Sequence, residues 1–287
     1  MSFYLTALLQ GLCFSGLALG IYISMKIFNI PDITTDGSYT LGGVVTAILL
    51  TNHVSGYIVL PAVFIAGGLA GAITGLIHTK LKINPLLAGI LVMTALYSVN
   101  LKMMGRSNLP LIDTSSIFLT WNLLTNPYLN KGLILVVFVI ITTLLIGYLL
   151  KTDFGIAMRA TGNSESMIRA LGVDTERMKI IGLALANALT AVSGYLITQY
   201  QSFADINNVG MVIIGLGSVI IAETLINWLH ITSVWISLIL VLGGAIIFQL
   251  VLALTLSIGV DANLLKLVTA VFVLLIVSLP RLNLAKD

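Results

Sequence analysis

The sequence is poor in charged residues and in cysteine, and each shortage excludes a class of protein. Only 9% of its 287 residues are charged, whereas soluble domains carry roughly a quarter. This excludes a soluble enzyme and a disordered regulator. It also excludes a nucleic-acid reader, because the net charge of +3 comes from basic residues that lie between apolar runs and form no surface stripe. The single cysteine, Cys13, lies inside an apolar run, so no intrachain disulfide can form.

Apolar residues are abundant instead, at 58% of the chain. A helix needs about 20 apolar residues to cross the hydrocarbon core of a bilayer. Nine runs are candidates for such spans, at 5–25, 38–52, 56–77, 84–103, 131–150, 179–200, 208–226, 231–255 and 264–280. The sequence therefore predicts an all-α polytopic membrane protein, one domain over 1–287, with about nine membrane segments. The second segment is predicted to be short or broken, because the polar stretch 31–37 precedes it.

The distribution of cations predicts the orientation, since cytoplasmic loops carry an excess of Lys and Arg. With nine crossings and the N-terminus outside, ten cations lie inside: Lys26, Lys80, Lys82, Lys151, Arg159, Arg169, Arg177, Lys179, Arg281 and Lys286. Four lie outside: Lys102, Arg106, Lys131 and Lys266. The prediction is an N-out, C-in topology.

One predicted cytoplasmic segment, 151–179, holds nine of the 25 charges. We expect short helices here, one of them capped by Asn163, with Glu165 in its first turn, Arg169 in its last turn and Gly172 as its stop. Two interpretations remain open for the segment. It is either a well-capped surface loop on the lipid headgroups or a docking element that fits a groove on a soluble partner.

The motif Gly155-x-x-x-Arg159-Ala160-x-Gly162-Asn163, followed by Arg169-Ala170-Leu171-Gly172-Val173, resembles the coupling loop of ABC importer permeases. The family it resembles is that of the branched-chain amino acid and ribose permeases. The likeness continues in the small-residue stretch 191–196 and in the polar stretch that precedes the second run. The Asp32-x-Thr34-x-Asp36-Gly37 form of that stretch is similar to a subgroup associated with tryptophan or tyrosine uptake.

The resemblance implies a transport subunit and not an enzyme. Two permease chains, most simply a homodimer, would form the pathway, and two ATPase subunits would bind ATP and Mg²⁺ beneath it. An extracellular or lipoprotein substrate-binding protein would deliver the solute. The protein would be located in the cytoplasmic membrane of a bacterium. The ATPase must be a separate chain, because no Gly-x-x-x-x-Gly-Lys-[Ser/Thr] loop occurs in this sequence. The residues implied in ATPase coupling are Gly155, Met158, Arg159, Ala160, Gly162, Asn163, Glu165, Arg169, Leu171 and Gly172.

Several polar and small residues within the membrane segments are candidates for the translocation pathway: Asp32, Thr35, Asp36, Asn187, Thr190, Gly194 and Thr198. Carboxylates at membrane depth are costly and therefore indicate function. The alternative is that Asp36 caps the second helix and Asp32 lies in the headgroup zone. For the stripe along 187–198 the alternative is close helix packing, which is also the prediction for Gly67, Gly71 and Gly75. Asn100, Gln199 and Gln249 are predicted to form interhelical hydrogen bonds.

A second class of function stays open, an ion-coupled secondary transporter with Asp32, Asp36 or Glu223 as its coupling acid. Glu223 has three possible roles: pairing with a coupling-loop arginine, facing the ATPase, or extending to the headgroups. His53, His78 and His230 stand apart, so no metal site is predicted. An intramembrane enzyme is disfavoured, because the sequence offers no nucleophile–base set at a common depth.

Overall fold

The computed structural model describes residues 2–112, 114–121, 125–207, 210–261 and 264–284. Helices account for most of this part of the chain. They are α1 (Ser2–Cys13), α2 (Ser15–Ile21), a π-helical segment (Tyr22–Ile27), α3 (Thr34–Thr51), α4 (Gly56–Lys80), α5 (Pro85–Met104), α6 (Ile117–Thr120), α7 (Pro127–Lys151), α8 (Asp153–Asn163), α9 (Glu165–Ala170), α10 (Thr175–Gln201), α11 (Val212–Trp228), α12 (Val234–Ser257) and α13 (Leu265–Leu284). Two short strands, β1 (Asn108–Pro110) and β2 (Phe203–Asp205), pair antiparallel and join the loop after α5 to the loop after α10.

Each of the nine predicted runs coincides with a helix or with a bent helical pair. Within the described residues, five helices are long and apolar enough to span a membrane: α4, α5, α7, α10 and α12. A sixth span results if the pair Phe3–Cys13 and Ser15–Ile27, bent by 41°, is one crossing. Among the rest, α11 is only 17 residues long. The chain is thus an all-helical protein with five or six candidate spans. The count of nine and the N-out, C-in orientation stay predictions.

Helix α10 is the centre of the bundle, with 78% of its apolar window buried by the rest of the protein. Glycines bring the neighbouring backbones against it. A Cβ at Gly71 of α4 would overlap the carbonyl oxygen of Leu183, and one at Gly42 of α3 would overlap that of Ala191. The packing face predicted at Gly67, Gly71 and Gly75 is present, because all three abut α10.

The predicted interruption before the second run is also present. The chain leaves the π-helical segment at Ile27, and the Phe28 ring then lies against Gly182 of α10. Helix α3 begins only at Thr34, beside Asn187. Since Asn187 lies about 18 Å along α10 from its first residue, at 1.5 Å per residue, α3 starts part-way along the central helix and not at its first turn.

Candidate functional site

The segment predicted to couple to an ATPase consists of two short helices, and most of its motif residues pack against the bundle. The hydroxyl oxygen of Thr152 caps α8 by accepting a hydrogen bond from the Gly155 amide at 3.3 Å. A Cβ at Gly155 would overlap the end of α7, and one at Gly162 would overlap the Ile27 carbonyl oxygen. Met158 is fully buried. These residues therefore fix α8 to the membrane helices.

Ion pairs hold α9 to the start of α10. The Glu165 carboxylate accepts hydrogen bonds from Arg169 at 2.8 Å and from Lys179 at 2.5 Å. Thr175 donates its hydroxyl to the same carboxylate at 3.2 Å. The hydrogen bond from Lys179 is the main reason why the pKa of Glu165 lies below its ordinary value. The predicted Glu165–Arg169 polarity of this helix is present.

The cap predicted for this helix is wrong in its residue. Asn163 is the last residue of α8, and Ser164 occupies the position before α9 without a side-chain cap. The backbone of Ser164 is extended, and this residue separates α8 from α9. Gly172 follows the end of α9 at φ +86°, where a residue with a Cβ would be strained, so its predicted role as the stop fits.

Two apolar side chains of this segment point away from the protein. Met167 is 64% exposed and Leu171 is 70% exposed. Arg159, in contrast, lines an open cavity of about 640 Å³ between α8, the π-helical segment and α11, and its buried Nε has no hydrogen-bond partner among the described residues. The exposed apolar surface at Met167 and Leu171 therefore belongs to α9 and the turn after it, whereas Arg159 lies in the cavity beside the bundle.

The cavity beside Arg159 also holds the ion pair that Glu223 forms. Its carboxylate contacts the Lys26 ammonium, with both side chains partly exposed. The cation comes from the π-helical segment and is not the coupling-loop arginine that was predicted. The other two roles of Glu223 stay predictions.

A network of buried hydrogen bonds surrounds the start of α3. The Asn187 amide donates to Asp32 Oδ2 at 2.7 Å, and Asn187 Oδ1 accepts from Ser38 Oγ at 2.7 Å. Asp32 Oδ1 accepts the Thr34 amide at 2.9 Å. Asp32 is only 4% exposed, so it is buried inside the bundle, and its depth in the membrane stays a prediction. The network joins the broken segment to the middle of α10.

Asp36 forms a second link, to a different helix. Its carboxylate accepts hydrogen bonds from the backbone amides of Gly210 at 2.9 Å and Val212 at 3.2 Å. These amides open α11, so Asp36 caps α11 across the bundle. The prediction that Asp36 caps its own helix is wrong: Ile33 precedes α3 without a side-chain cap, and the first amide of the helix, that of Thr34, is bonded by Asp32. The carboxylate instead accepts hydrogen bonds from amides 174 and 176 residues away.

The other pathway candidates are buried in helix contacts. Thr35 and Thr190 are fully buried and donate their hydroxyls to backbone carbonyls of Asp32 and Ala186. A Cβ at Gly194 would overlap the Tyr39 carbonyl oxygen. Thr198, 3% exposed, lies against Gly43. These contacts support the packing interpretation for the stripe, and they leave its role in the pathway a prediction.

Sequence reasoning missed the partners of the network. The Ser38 hydroxyl donates a hydrogen bond to the side-chain oxygen of Asn187. The hydroxyls of Thr34 and Thr74, on α3 and α4, share a hydrogen bond at 2.8 Å. The sequence signal for these partners is the polar content of residues 34–40, which is also typical of a helix start. It could not identify Thr74, because that contact depends on where α4 packs.

An all-helical bundle with several apolar helices, a buried polar break and a charged helical hairpin at one end defines a multi-pass membrane protein. Residues 3–278 match the family model for the permease component of the branched-chain amino acid transport system. The chain belongs to this permease family. No solved structure matches it.

Three relatives illustrate the range of the family. The tyrosine transport system permease protein of Clostridioides difficile is 35% identical over 99% of this chain and 94% of its own length. A probable branched-chain amino acid transport permease protein LivH of Methanocaldococcus jannaschii is 31% identical over 64% of this chain and 62% of its own length. The ribose import permease protein RbsC of Haemophilus influenzae is 25% identical over 66% of this chain and 58% of its own length.

Proposed function

We propose that this chain is the transmembrane permease subunit of an ATP-binding-cassette importer for an amino acid, with aromatic amino acids as the first candidates. Two copies form the pathway in a bacterial cytoplasmic membrane. A separate ATPase binds ATP and Mg²⁺ and docks on the coupling segment 151–179, and an extracellular or lipoprotein binding protein supplies the solute. The membership of the permease family and the full-length likeness to a tyrosine permease support the solute class.

The observation that carries the coupling role is the pair of exposed apolar side chains on a charged, well-braced hairpin. Met167 and Leu171 are 64% and 70% exposed, while Glu165, Arg169 and Lys179 hold their helix in place. An apolar anchor on a rigid short helix is what docking into a groove requires. A rigid hairpin also transmits motion of the ATPase to α7 and α10, which it joins.

The ion-coupled alternative has less support. Asp32 pairs with Asn187, Asp36 with two backbone amides and Glu223 with Lys26. Each acid proposed to bind the coupling ion thus has a structural partner.

The test is co-purification of an ATP-binding subunit with the tagged chain from its native membranes. We expect Met167→Asp and Leu171→Asp to reduce the bound ATPase about tenfold or more, because a buried carboxylate in an apolar groove is unpaired. Ile112→Asp is the matched control. Ile112 is similarly exposed, at 72%, but it lies in the loop before α7, whereas the coupling segment follows α7. It should retain the ATPase.

Uptake of radiolabelled tyrosine and leucine by cells that express the system provides the second readout. Uptake should survive collapse of the proton and sodium gradients and stop on depletion of ATP. Gradient-driven uptake by the purified chain alone would contradict the proposal.

A further inference from the structure

A cavity of about 170 Å³ lies between α3 and α5, beside the carboxylate that caps α11. Asp36 and Thr40 form its α3 wall, and Met93, Tyr97 and Asn100 form its α5 wall. It opens to the surface past Tyr97, which is 44% exposed. The volume is comparable to the cavity of about 150 Å³ that holds benzene in an engineered protein. A ring-sized organic group therefore fits.

Asn100 is the unusual member of the wall. It is fully buried, yet neither its Oδ1 nor its Nδ2 has a hydrogen-bond partner among the residues that the structure describes. The prediction that it makes an interhelical hydrogen bond is therefore wrong. Nearly all buried polar side chains in proteins are paired, since an unpaired one costs free energy without return. Both polar atoms of Asn100 thus lie unpaired and buried in the wall of the cavity.

The remaining polar atoms of the cavity are mostly acceptors. Thr40 donates its hydroxyl to the Asp36 carbonyl oxygen at 3.1 Å, and Thr94 donates to that of Ile90 at 2.8 Å, so only their oxygen lone pairs are free. The Asp36 carboxylate accepts the amides of Gly210 and Val212 and retains further lone-pair sites. None of the described residues that line the cavity is Lys, Arg or His.

We propose that the cavity between α3 and α5 is a binding station for the ammonium group of an amino acid in transit, with Asp36, Thr40, Thr94 and Asn100 Oδ1 as acceptors. The Asn100 amide nitrogen and the Tyr97 hydroxyl are the donors left for the solute carboxylate. The inference rests on the proposed permease function and names the chemical groups that this chain reads.

An organic cation suits the cavity better than a bare metal cation. Met93, the Tyr97 ring and Ile206 make much of the lining apolar. An apolar side chain of the solute packs there, and an aromatic face attracts an ammonium group. A metal cation gains nothing from those walls.

Cysteine protection tests the proposal on the full chain, because Cys13 is its one cysteine and is fully buried. Met93→Cys in a Cys13→Ser background places a thiol in the cavity without removing any proposed acceptor. Ile90→Cys is the control, since Ile90 is on the same helix, 41% exposed and outside the lining. The rate of maleimide labelling is measured on the purified protein in nanodiscs.

The probes separate the groups of the solute. Tyrosine and leucine carry both charges, tyramine and isoamylamine lack the carboxylate, and hydroxyphenylpropanoate lacks the ammonium. We expect one or both ammonium-bearing series to slow labelling at Met93→Cys and not at Ile90→Cys. Hydroxyphenylpropanoate and sodium chloride should slow neither. Adding Asn100→Leu should weaken protection about tenfold, the cost of losing a hydrogen bond to a charged group.

Three outcomes overturn the inference. Equal protection by hydroxyphenylpropanoate would mean that the cavity reads the ring and not the ammonium, and protection by sodium alone would identify an inorganic cation site. Absence of protection, while ATP-driven uptake of tyrosine or leucine proceeds, would place the pathway elsewhere and leave the proposed importer intact. Protection without ATP-driven uptake would instead refute the importer and support the binding station.

Discussion

At the scale of residues, two neighbouring acids have separate structural tasks. Asp32 ties the break before α3 to Asn187 in the middle of α10, whereas Asp36 caps the first turn of α11. The amides at a helix start have no partner within the helix and carry positive partial charge, so a carboxylate there is stabilised. The two links together join the start of α3 to α10 and to α11.

Asn187 is the residue on which the first of these links depends. Asn187→Leu removes the donor to Asp32 and the acceptor for Ser38, and among the described residues leaves the buried carboxylate with Thr34 as its partner. We expect a loss of about 2–4 kcal/mol in the free energy of unfolding, because buried charges that lose a partner are costly. Thermal unfolding in detergent measures it.

The control for this change is Asn100→Leu. Both asparagines are fully buried, but within the described part of the chain Asn100 has no hydrogen-bond partner to lose. Its replacement should leave the unfolding temperature unchanged or raise it, since an unpaired buried amide is removed. Equal destabilisation by the two substitutions would show that volume, and not hydrogen bonding, determines the effect.

At the scale of elements, glycines set how closely the helices approach α10. Two nearby glycines of α4, Gly68 and Gly71, have different surroundings. Gly71 contacts the Leu183 backbone so closely that a Cβ would overlap it, whereas a Cβ at Gly68 would be 3.8 Å from Ala184 O and Ala188 Cβ, an ordinary contact. Small residues are enriched at such crossings in membrane proteins because they allow two helix backbones to approach closely.

This contrast predicts opposite effects for the same substitution. Gly71→Ala should destabilise the protein by about 1–3 kcal/mol, because the two backbones must separate. Gly68→Ala should be neutral or stabilising by up to about 1 kcal/mol, since alanine is the better helix former. The two thermal midpoints are compared in one detergent. A fall of the same size for both would contradict the close approach of α4 and α10.

At the scale of the whole molecule, the sequence signals that worked are local. The apolar runs predict the positions of the long helices. The stop at Gly172 and the acid-to-base polarity from Glu165 to Arg169 are also predictable, because each depends on a few adjacent residues. The links that organise the bundle join distant positions, 174 residues apart for Asp36 and Gly210 and 197 for Lys26 and Glu223. Periodicity carries no information on such pairs, so the partner of Asp36 was assigned to the wrong helix.

The predicted orientation of the molecule in the membrane can be tested by thiol labelling, because Cys13 is the one cysteine of the chain and is fully buried. In a Cys13→Ser background, Met167→Cys and Ile112→Cys place exposed thiols at the two ends predicted to be inside and outside. With the N-terminus outside, a membrane-impermeant maleimide should label Ile112→Cys in intact cells and Met167→Cys only after permeabilisation. The excess of cations on the side of Met167 is the physical reason, since positive loops are retained in the cytoplasm. The unsubstituted chain is the control for background, because its one thiol is fully buried. Labelling of Met167→Cys in intact cells would put the coupling hairpin outside, where no ATPase could reach it.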